Sequence, residues 1–340
     1  MIRTHDGGAG RYVSFSSTQR KHNDVKNTVA TLVAFCSIFS SAVTAQGVRL
    51  TATPASPDPG AIVRLTLNAP SGVDKVVSVR GALAEEPLHF METAPGVWHA
   101  LGGVPVDKEG SLVANAVLQR QSGKTEIARV RFILPKIPPP VAEPLAVDSN
   151  FTRPLDAATL ARIDNENARA REVGRRAHDR APMWTASFLR PRTSVITSQF
   201  GSGRSFNGKV TARHLGVDFR GAVGEPVRAA NRGVVVLVDN FFLAGNVVYI
   251  DHGGGVVTSY FHLSKTLVSV GDTVKRGQVI GLVGNTGRVT GPHLHWAARY
   301  GANTVNPLDL LSISSSWYSA AIPRLEKPGL VIPTRSPPRR

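Results

Sequence analysis

The chain has 340 residues, enough for about two domains. Its apolar fraction of 42%, with 32 glycines and 23 prolines, fits turn-rich, β-leaning globular domains and excludes a coiled coil or a wholly disordered chain. The net charge of +16 predicts a polyanionic partner, but the basic residues are scattered, without interleaved aromatics, zinc-finger spacing or a helix-turn-helix pattern, which argues against nucleic acid.

An apolar run from Val29 to Val43 follows Lys21 and Lys26 and ends in Val43-Thr44-Ala45. A basic start, a short apolar segment and a small-residue cleavage site predict a secretory signal peptide over residues 1–45, with the mature chain beginning at Gln46. The run is too short and too rich in Ser and Thr for a membrane span, so none is expected in the mature chain. Cys36, the only cysteine, lies in this run after bulky Phe35, where lipid attachment requires a small residue. The mature chain then has neither a cysteine nucleophile nor cysteine metal ligands. The stretch before Lys21 is long for an n-region, and a later translation start near Val25 is a second expectation.

Residues 46–135 alternate in the β manner. Strands are predicted at Val48–Thr53, Ile62–Leu67, Lys75–Val79, Leu88–Met91, Val97–Ala100, Ser111–Gln119 and Glu126–Ile133. Ser122-Gly123-Lys124 fits a hairpin tip. Short strands with regular turn signals predict an immunoglobulin-like sandwich. Its single histidines, His89 and His99, read as packing or surface residues.

Residues 136–183 read as a linker and a helix. Lys136-Ile137-Pro138-Pro139-Pro140 cannot continue a ladder and predicts a stiff, extended segment. A helix is expected from Asp156, its N-cap, to Ala177, with Leu160, Ile163, Ala170 and Val173 as a thin apolar stripe. It is expected to pack on a neighbouring domain, and shielding a groove is the alternative.

Residues 184–312 are again β and dense in glycine, with strong strands at Val234–Val238, Asn246–Asp251, Val256–His262 and Gln278–Val283. Residues 313–340 read as a flexible tail.

Five of the ten histidines fall between His214 and His295, four of them in three groups. His214-Leu215-Gly216-Val217-Asp218 offers an imidazole and a carboxylate, both good zinc ligands, and Gly216 lets backbone approach an ion. In His293-Leu294-His295 the histidines are two apart, so in a strand both face one side. Tyr260-Phe261-His262 ends a β-branched strand, with Tyr260 and His262 expected on one face. His252 reads as a turn residue. A hydrolytic zinc site needs three protein ligands, an open position, a proton acceptor and a stabiliser for the developing negative charge. These groups contain enough residues for all of those roles.

The groups resemble the lysostaphin/LytM family of zinc endopeptidases, whose motifs read H-x-G-x-D, [YF]-x-H-[LIV] and P-H-L-H-[WF]. The matching residues are His214 to Asp218, Tyr260-Phe261-His262-Leu263 and Pro292-His293-Leu294-His295-Trp296. Ser198-Gln199-Phe200-Gly201 and Gly284-Asn285-Thr286-Gly287 are also similar, and the resemblance runs from about Thr197 to Pro307. It implies a mostly β fold with a C-terminal antiparallel β peptidase domain (a duplicated hybrid motif), and Zn2+ held by His214, Asp218 and His295. It further implies that His293 is the general base, with His262 stabilising the oxyanion or sharing the base role. The implied activity is hydrolysis of peptide cross-links in peptidoglycan: D-Ala–diaminopimelate bonds in a Gram-negative host, glycine-rich bridges in a Gram-positive one. The implied place is the periplasm, with an extracellular or wall-associated site as alternative. A non-catalytic module that activates a cell-wall amidase is the competing expectation, with a divisome component or an amidase as its partner. The segment Gly203–Arg213 carries Arg204, Asn207, Lys209 and Arg213 but lacks the tyrosine found there in some relatives. It is expected to set substrate choice or to cover the groove.

Overall fold

The computed structural model describes residues 47–313 apart from 71, 137–141, 152–153, 207 and 209. The predicted signal peptide with Cys36, the proline run 138–140, Asn207, Lys209 and residues 314–340 lie outside the described residues.

The N-terminal part is a sandwich of two antiparallel sheets. Its strands are β1 (Arg49–Thr53), β2 (Ile62–Asn68), β3 (Val76–Leu83), β4 (Glu86–Leu88), β5 (Met91–Ala94), β6 (Val97–Gly103), β7 (Gly110–Arg120) and β8 (Thr125–Leu134). One sheet has the order β1-β2-β6-β5 and the other β4-β3-β7-β8. Alternation places Val63, Leu65 and Leu67 of one sheet against Leu83, Leu118 and Phe132 of the other, and these form a buried core. The segment expected as a single strand from Leu88 to Met91 is divided at His89-Phe90 between β4 and β5, which belong to different sheets.

The segment expected to be only linker contains a strand, β9 (Ala142–Leu145), and is followed by helix α1 (Ala157–Arg176). Asp156 caps the helix, its Oδ1 accepting from Thr159 N at 2.7 Å. The buried stripe differs from the expected one: Ile163, Glu166, Ala170 and Gly174 face inward, whereas Leu160 is 50% exposed. Glu166 is tolerated there because its carboxylate accepts from Phe242 N at 2.9 Å and from Arg162 Nε at 2.7 Å.

The C-terminal part follows as β10 (Ile196–Ser198), β11 (Gly203–Phe206), β12 (Val210–Arg213), β13 (Val217–Arg220), β14 (Pro226–Arg228), β15 (Gly233–Phe241), β16 (Gly245–Asp251), β17 (Val256–Leu263), β18 (Lys265–Thr266), β19 (Thr273–Val274), β20 (Val279–Leu282), β21 (His293–Tyr300) and β22 (Asn303–Val305). The main sheet has the order β10-β13-β21-β17-β16-β15-β19, with β22 also on β21. A small sheet, β14-β20-β18, packs beside it. The two faces of the main sheet have different tasks. Val217, Phe219, Tyr260, Leu294 and Trp296 lie in the main core. Val247, Tyr249 and Val257 face the other way, where Ala170 and Ala177 at the end of α1 and just beyond it cover them. Phe261 packs on that second cluster and also stacks on His295 at 5.2 Å between ring centroids. Helix α1 therefore lies on the sheet face that bears the histidines.

The segment Gly203–Arg213 is a β-hairpin, β11–β12, and β9 pairs with β11 in parallel. The sandwich docks at the end of β21 far from His293, around Tyr300 and Ala302. Tyr300 Oη donates to Pro87 O at 2.7 Å, Ile62 N to Asp309 Oδ2 at 2.9 Å, and Ala302 N to Glu86 Oε1 at 2.9 Å. His89 joins this junction through His178 Nδ1 at 2.8 Å, and His99 contacts Thr66 Oγ1 at 3.0 Å. Both are packing residues. Among the described residues no helix is long and apolar enough to cross a membrane.

Candidate metal centre

Register brings the first two candidate ligands together. In the β13–β21 ladder Asp218 lies opposite His295, and Arg220 opposite His293. His293 and His295 are two apart, so both project to one face, as their spacing predicts. His214 precedes β13 in a turn held by His214 N donating to Ser202 O at 2.8 Å and Gly201 N donating to His214 O at 2.7 Å.

The ligand-type atoms form a small triangle. His214 Nε2 lies 3.0 Å from Asp218 Oδ1 and 2.9 Å from His295 Nδ1, and the third edge, His295 Nδ1 to Asp218 Oδ1, is 2.8 Å. These three residues are a set able to hold a metal ion. The proton inventory supports that fit. His214 Nδ1 lies 2.8 Å from Gln199 O, and a carbonyl oxygen only accepts, so Nδ1 carries the proton. A neutral His214 then turns a lone pair at Nε2 toward the carboxylate and the second imidazole. One proton bridges one edge of the triangle, whereas a bound cation would be shared by all three donor atoms. Two imidazoles and one carboxylate suit zinc. A backbone carbonyl fixing the remaining nitrogen is the usual orienting device for a ligating histidine.

Charge follows the same pattern. Burial by itself would raise the Asp218 carboxyl, but the His214 and His295 imidazoles packed against it hold it well below the usual carboxylate range. Burial pushes His295 down to about 4, although Asp218 draws it the other way. At neutral pH the trio thus contains an anion and an imidazole with an available lone pair.

The two remaining histidines stand beside the trio. His293 lies with Nε2 3.7 Å from Asp218 Oδ1, and its Nδ1 donates to Gly291 O at 2.8 Å. His262 has its ring centroid 4.9 Å from that of His293, and its Nδ1 donates to Thr286 O at 2.8 Å. Burial, then the neighbouring His293 and His295, holds His262 well below its ordinary range. The expectation that Tyr260 and His262 share a face is corrected. Tyr260 is fully buried in the main core, opposite Trp296. His262 has φ 61°, and the β16–β17 register shifts between Asn246 and Val248. This irregularity breaks the alternation and swings the His262 ring toward His293.

Gly216 has a more specific reason than approach to an ion. A Cβ there would lie 2.5 Å from His295 Nε2 and 2.7 Å from Trp296 O. His252 follows β16 at the turn, as expected, but is fully buried there, with Nδ1 donating to Arg232 O at 2.8 Å and Nε2 2.8 Å from Thr258 Oγ1.

Reading the sequence left three contributors without roles. Arg204, from β11, places Nη2 2.7 Å from both Asp218 Oδ2 and Ser198 Oγ. Ser198 also lies 3.3 Å from His214 Nδ1, and Gln199 acts through its main-chain oxygen. Arg204-Ser205-Phe206 has no polar–apolar alternation, so the strand, with Arg204 and Phe206 on one face, left no periodic signal in the sequence.

Two histidines and a carboxylate with two further histidines beside them, on the face of the β-sheet that α1 also partly covers, are the donor set of a candidate metal site. Residues 212–307 match peptidase family M23, and the chain carries a LytM-type domain of that family. Over 100 residues it is 51% identical to the peptidoglycan DD-endopeptidase ShyA of Vibrio cholerae, covering 29% of this chain and 23% of that protein. Over 150 residues it is 41% identical to the peptidoglycan DD-endopeptidase ShyC of the same organism, covering 44% and 32% respectively. The chain thus spans a quarter to a third of the length of these curated relatives. A solved structure of a candidate M23 peptidase from Pseudomonas aeruginosa superposes with a TM-score of 0.56 at 26% identity, over 75% of this chain and 95% of that one.

Proposed function

We propose that this protein is an exported zinc metalloendopeptidase that hydrolyses peptide cross-links of bacterial peptidoglycan in the periplasm, at bonds of the DD type. The observation that carries this reading is the triangle of His214 Nε2, Asp218 Oδ1 and His295 Nδ1, with His262 and His293 beside it. The names of ShyA and ShyC supply the substrate class, and a net charge of +16 suits an anionic wall. The set of five residues is complete, which favours an enzyme over a module that only activates an amidase.

His214, Asp218 and His295 would hold the zinc ion, which when bound supplies a Lewis acid and an activated water at neutral pH. His293 and His262 each spend Nδ1–H on a loop carbonyl, so each neutral ring keeps a lone pair on Nε2. When neutral, each ring accepts at Nε2. His293, with Nε2 nearest the carboxylate of the trio, takes the proton of the attacking water. His262 shares that task or, once protonated, donates to the oxygen on which charge develops. Arg204 keeps Asp218 in place by occupying Oδ2, which leaves Oδ1 for the ion.

The test is digestion of purified sacculi by the full chain with zinc, with and without chelator, reading muropeptides by mass. Chelator-sensitive loss of cross-linked dimers, with matching gain of monomers, is expected. Unchanged dimers with zinc bound would overturn the enzymatic reading.

A further inference from the structure

Arg288 stands in the loop between β20 and β21, two residues beyond Thr286, whose carbonyl holds His262. Its main chain is fixed, Arg288 N donating to Leu243 O at 2.8 Å. Its guanidinium carbon lies 3.8 Å from the ring centroid of Phe206, the hairpin residue two beyond Arg204. The charge is costly there: burial, then the nearby Arg204, draws Arg288 down to about 10. Arg204 spends its charge on Asp218. Arg288 has no such outlet, and among the described residues no carboxylate pairs with it.

A half-buried cation beside the histidine cluster, with no carboxylate partner among the described residues, is open to a counter-ion. Stacking on Phe206 occupies one face of the guanidinium, and among the described residues nothing hydrogen-bonds the N–H groups in its plane. Those groups are the ones that grip a carboxylate through two parallel hydrogen bonds. The substrate proposed above, on which this inference rests, contains such a group. In a DD cross-link the carbon bonded to the scissile nitrogen also carries a free carboxylate. A terminal D-Ala–D-Ala unit has the same arrangement.

We infer that Arg288, braced by Phe206, is the binding site for the free carboxylate on the amine side of the scissile bond. It makes the groove selective for DD bonds bearing that group and lets it accept a terminal D-Ala–D-Ala unit as well as a cross-link. Arg288 here is a specificity residue that touches substrate but takes no part in proton transfer.

The probe is a phosphinate isostere of a D-Ala–D-Ala-terminated stem peptide, made as the free acid and as the terminal carboxamide. Each form is titrated calorimetrically into the zinc-loaded full chain. The free acid should bind at least about tenfold more tightly than the amide. Arg288→Met should remove that preference while leaving affinity for the amide unchanged. Equal affinity of the unaltered protein for both forms, equal weakening of both by Arg288→Met, or binding of neither would each overturn the inference. Arg288→Lys covers the case in which the methionine variant does not fold: it keeps the charge but loses the fork, so the preference should shrink several-fold, and an undiminished preference overturns the bidentate contact. The sacculus digestion judges the enzymatic reading separately, because it does not depend on which carboxylate the groove prefers.

Discussion

Arg204 Nη2 donates to Asp218 Oδ2 at 2.7 Å, on the carboxylate oxygen turned away from His214 and His295. The hairpin is thereby tied to the metal centre by one charge-assisted hydrogen bond. Outer partners of metal ligands tune affinity without creating it. Arg204→Ala should therefore weaken zinc binding roughly 10- to 100-fold and leave the stoichiometry at one. Competition with a chromogenic chelator reads this directly. Zinc affinity equal to that of the unaltered protein would remove Arg204 from the site.

In the proposed function metal holding and proton transfer fall on different histidines, so their losses should separate. His214→Ala should lose both bound zinc and hydrolysis. His293→Ala should retain zinc and lose roughly 10²- to 10⁴-fold in turnover, the usual worth of a general base. His262→Ala should also retain zinc, with a loss of about 10²- to 10³-fold if it stabilises the oxyanion. Elemental analysis beside turnover on cross-linked muropeptides distinguishes them. Loss of zinc from His293→Ala would mean that the ligand and base assignments are exchanged.

How far the sequence revealed this site depends on the range of the interaction. The pairing of His293 with His295 on one face follows from a period of two and was legible. So was the helix start, because Asp156 caps its own first turn. The stripe of α1 was only partly legible: periodicity favoured Leu160, but Glu166 is held inside by Phe242 N, 76 residues away. The pairing of β9 with β11 joins segments about sixty residues apart and leaves no local trace. The turning of His262 depends on a positive φ at a residue type with no strong preference for it, so simple alternation put the ring on the wrong side. His252 has the composition of a turn residue, and only the fold reveals that Thr258 and Arg232 surround it.

Gly216 makes a steric prediction. A methyl group there would lie 2.5 Å from His295 Nε2 and 2.7 Å from the Trp296 carbonyl oxygen. The backbone oxygen cannot yield cheaply, so the imidazole must. Gly216→Ala should displace His295 from the triangle and weaken zinc binding at least about tenfold. Overpacking should also cost about 1–3 kcal/mol of stability. Zinc titration together with denaturant melts checks both, and normal zinc affinity would show that the ring has room to move.

His252 gives the fold an acid-sensitive point away from the metal. A chain of hydrogen bonds runs from Ala230 N to Tyr260 Oη, on to Thr258 Oγ1 and then to His252 Nε2, while Nδ1–H goes to Arg232 O. Every member is satisfied only if His252 is neutral. Burial draws it down to about 4, although the Arg232 carbonyl pulls it back somewhat. Its ordinary value is 6.5. Above that pH both folded and unfolded chains hold a neutral ring, and the full stability is present. As pH falls from about 6.5 toward about 4 the unfolded chain binds a proton that the folded one refuses, so stability declines. The loss should reach about 3 kcal/mol. Urea melts from pH 7 to 4 in chelator, comparing the unaltered protein with His252→Asn, isolate this residue from other groups that titrate in the same range. The variant should be less stable at pH 7 but show a shallower decline. Parallel declines in the two proteins would rule out His252 as the origin.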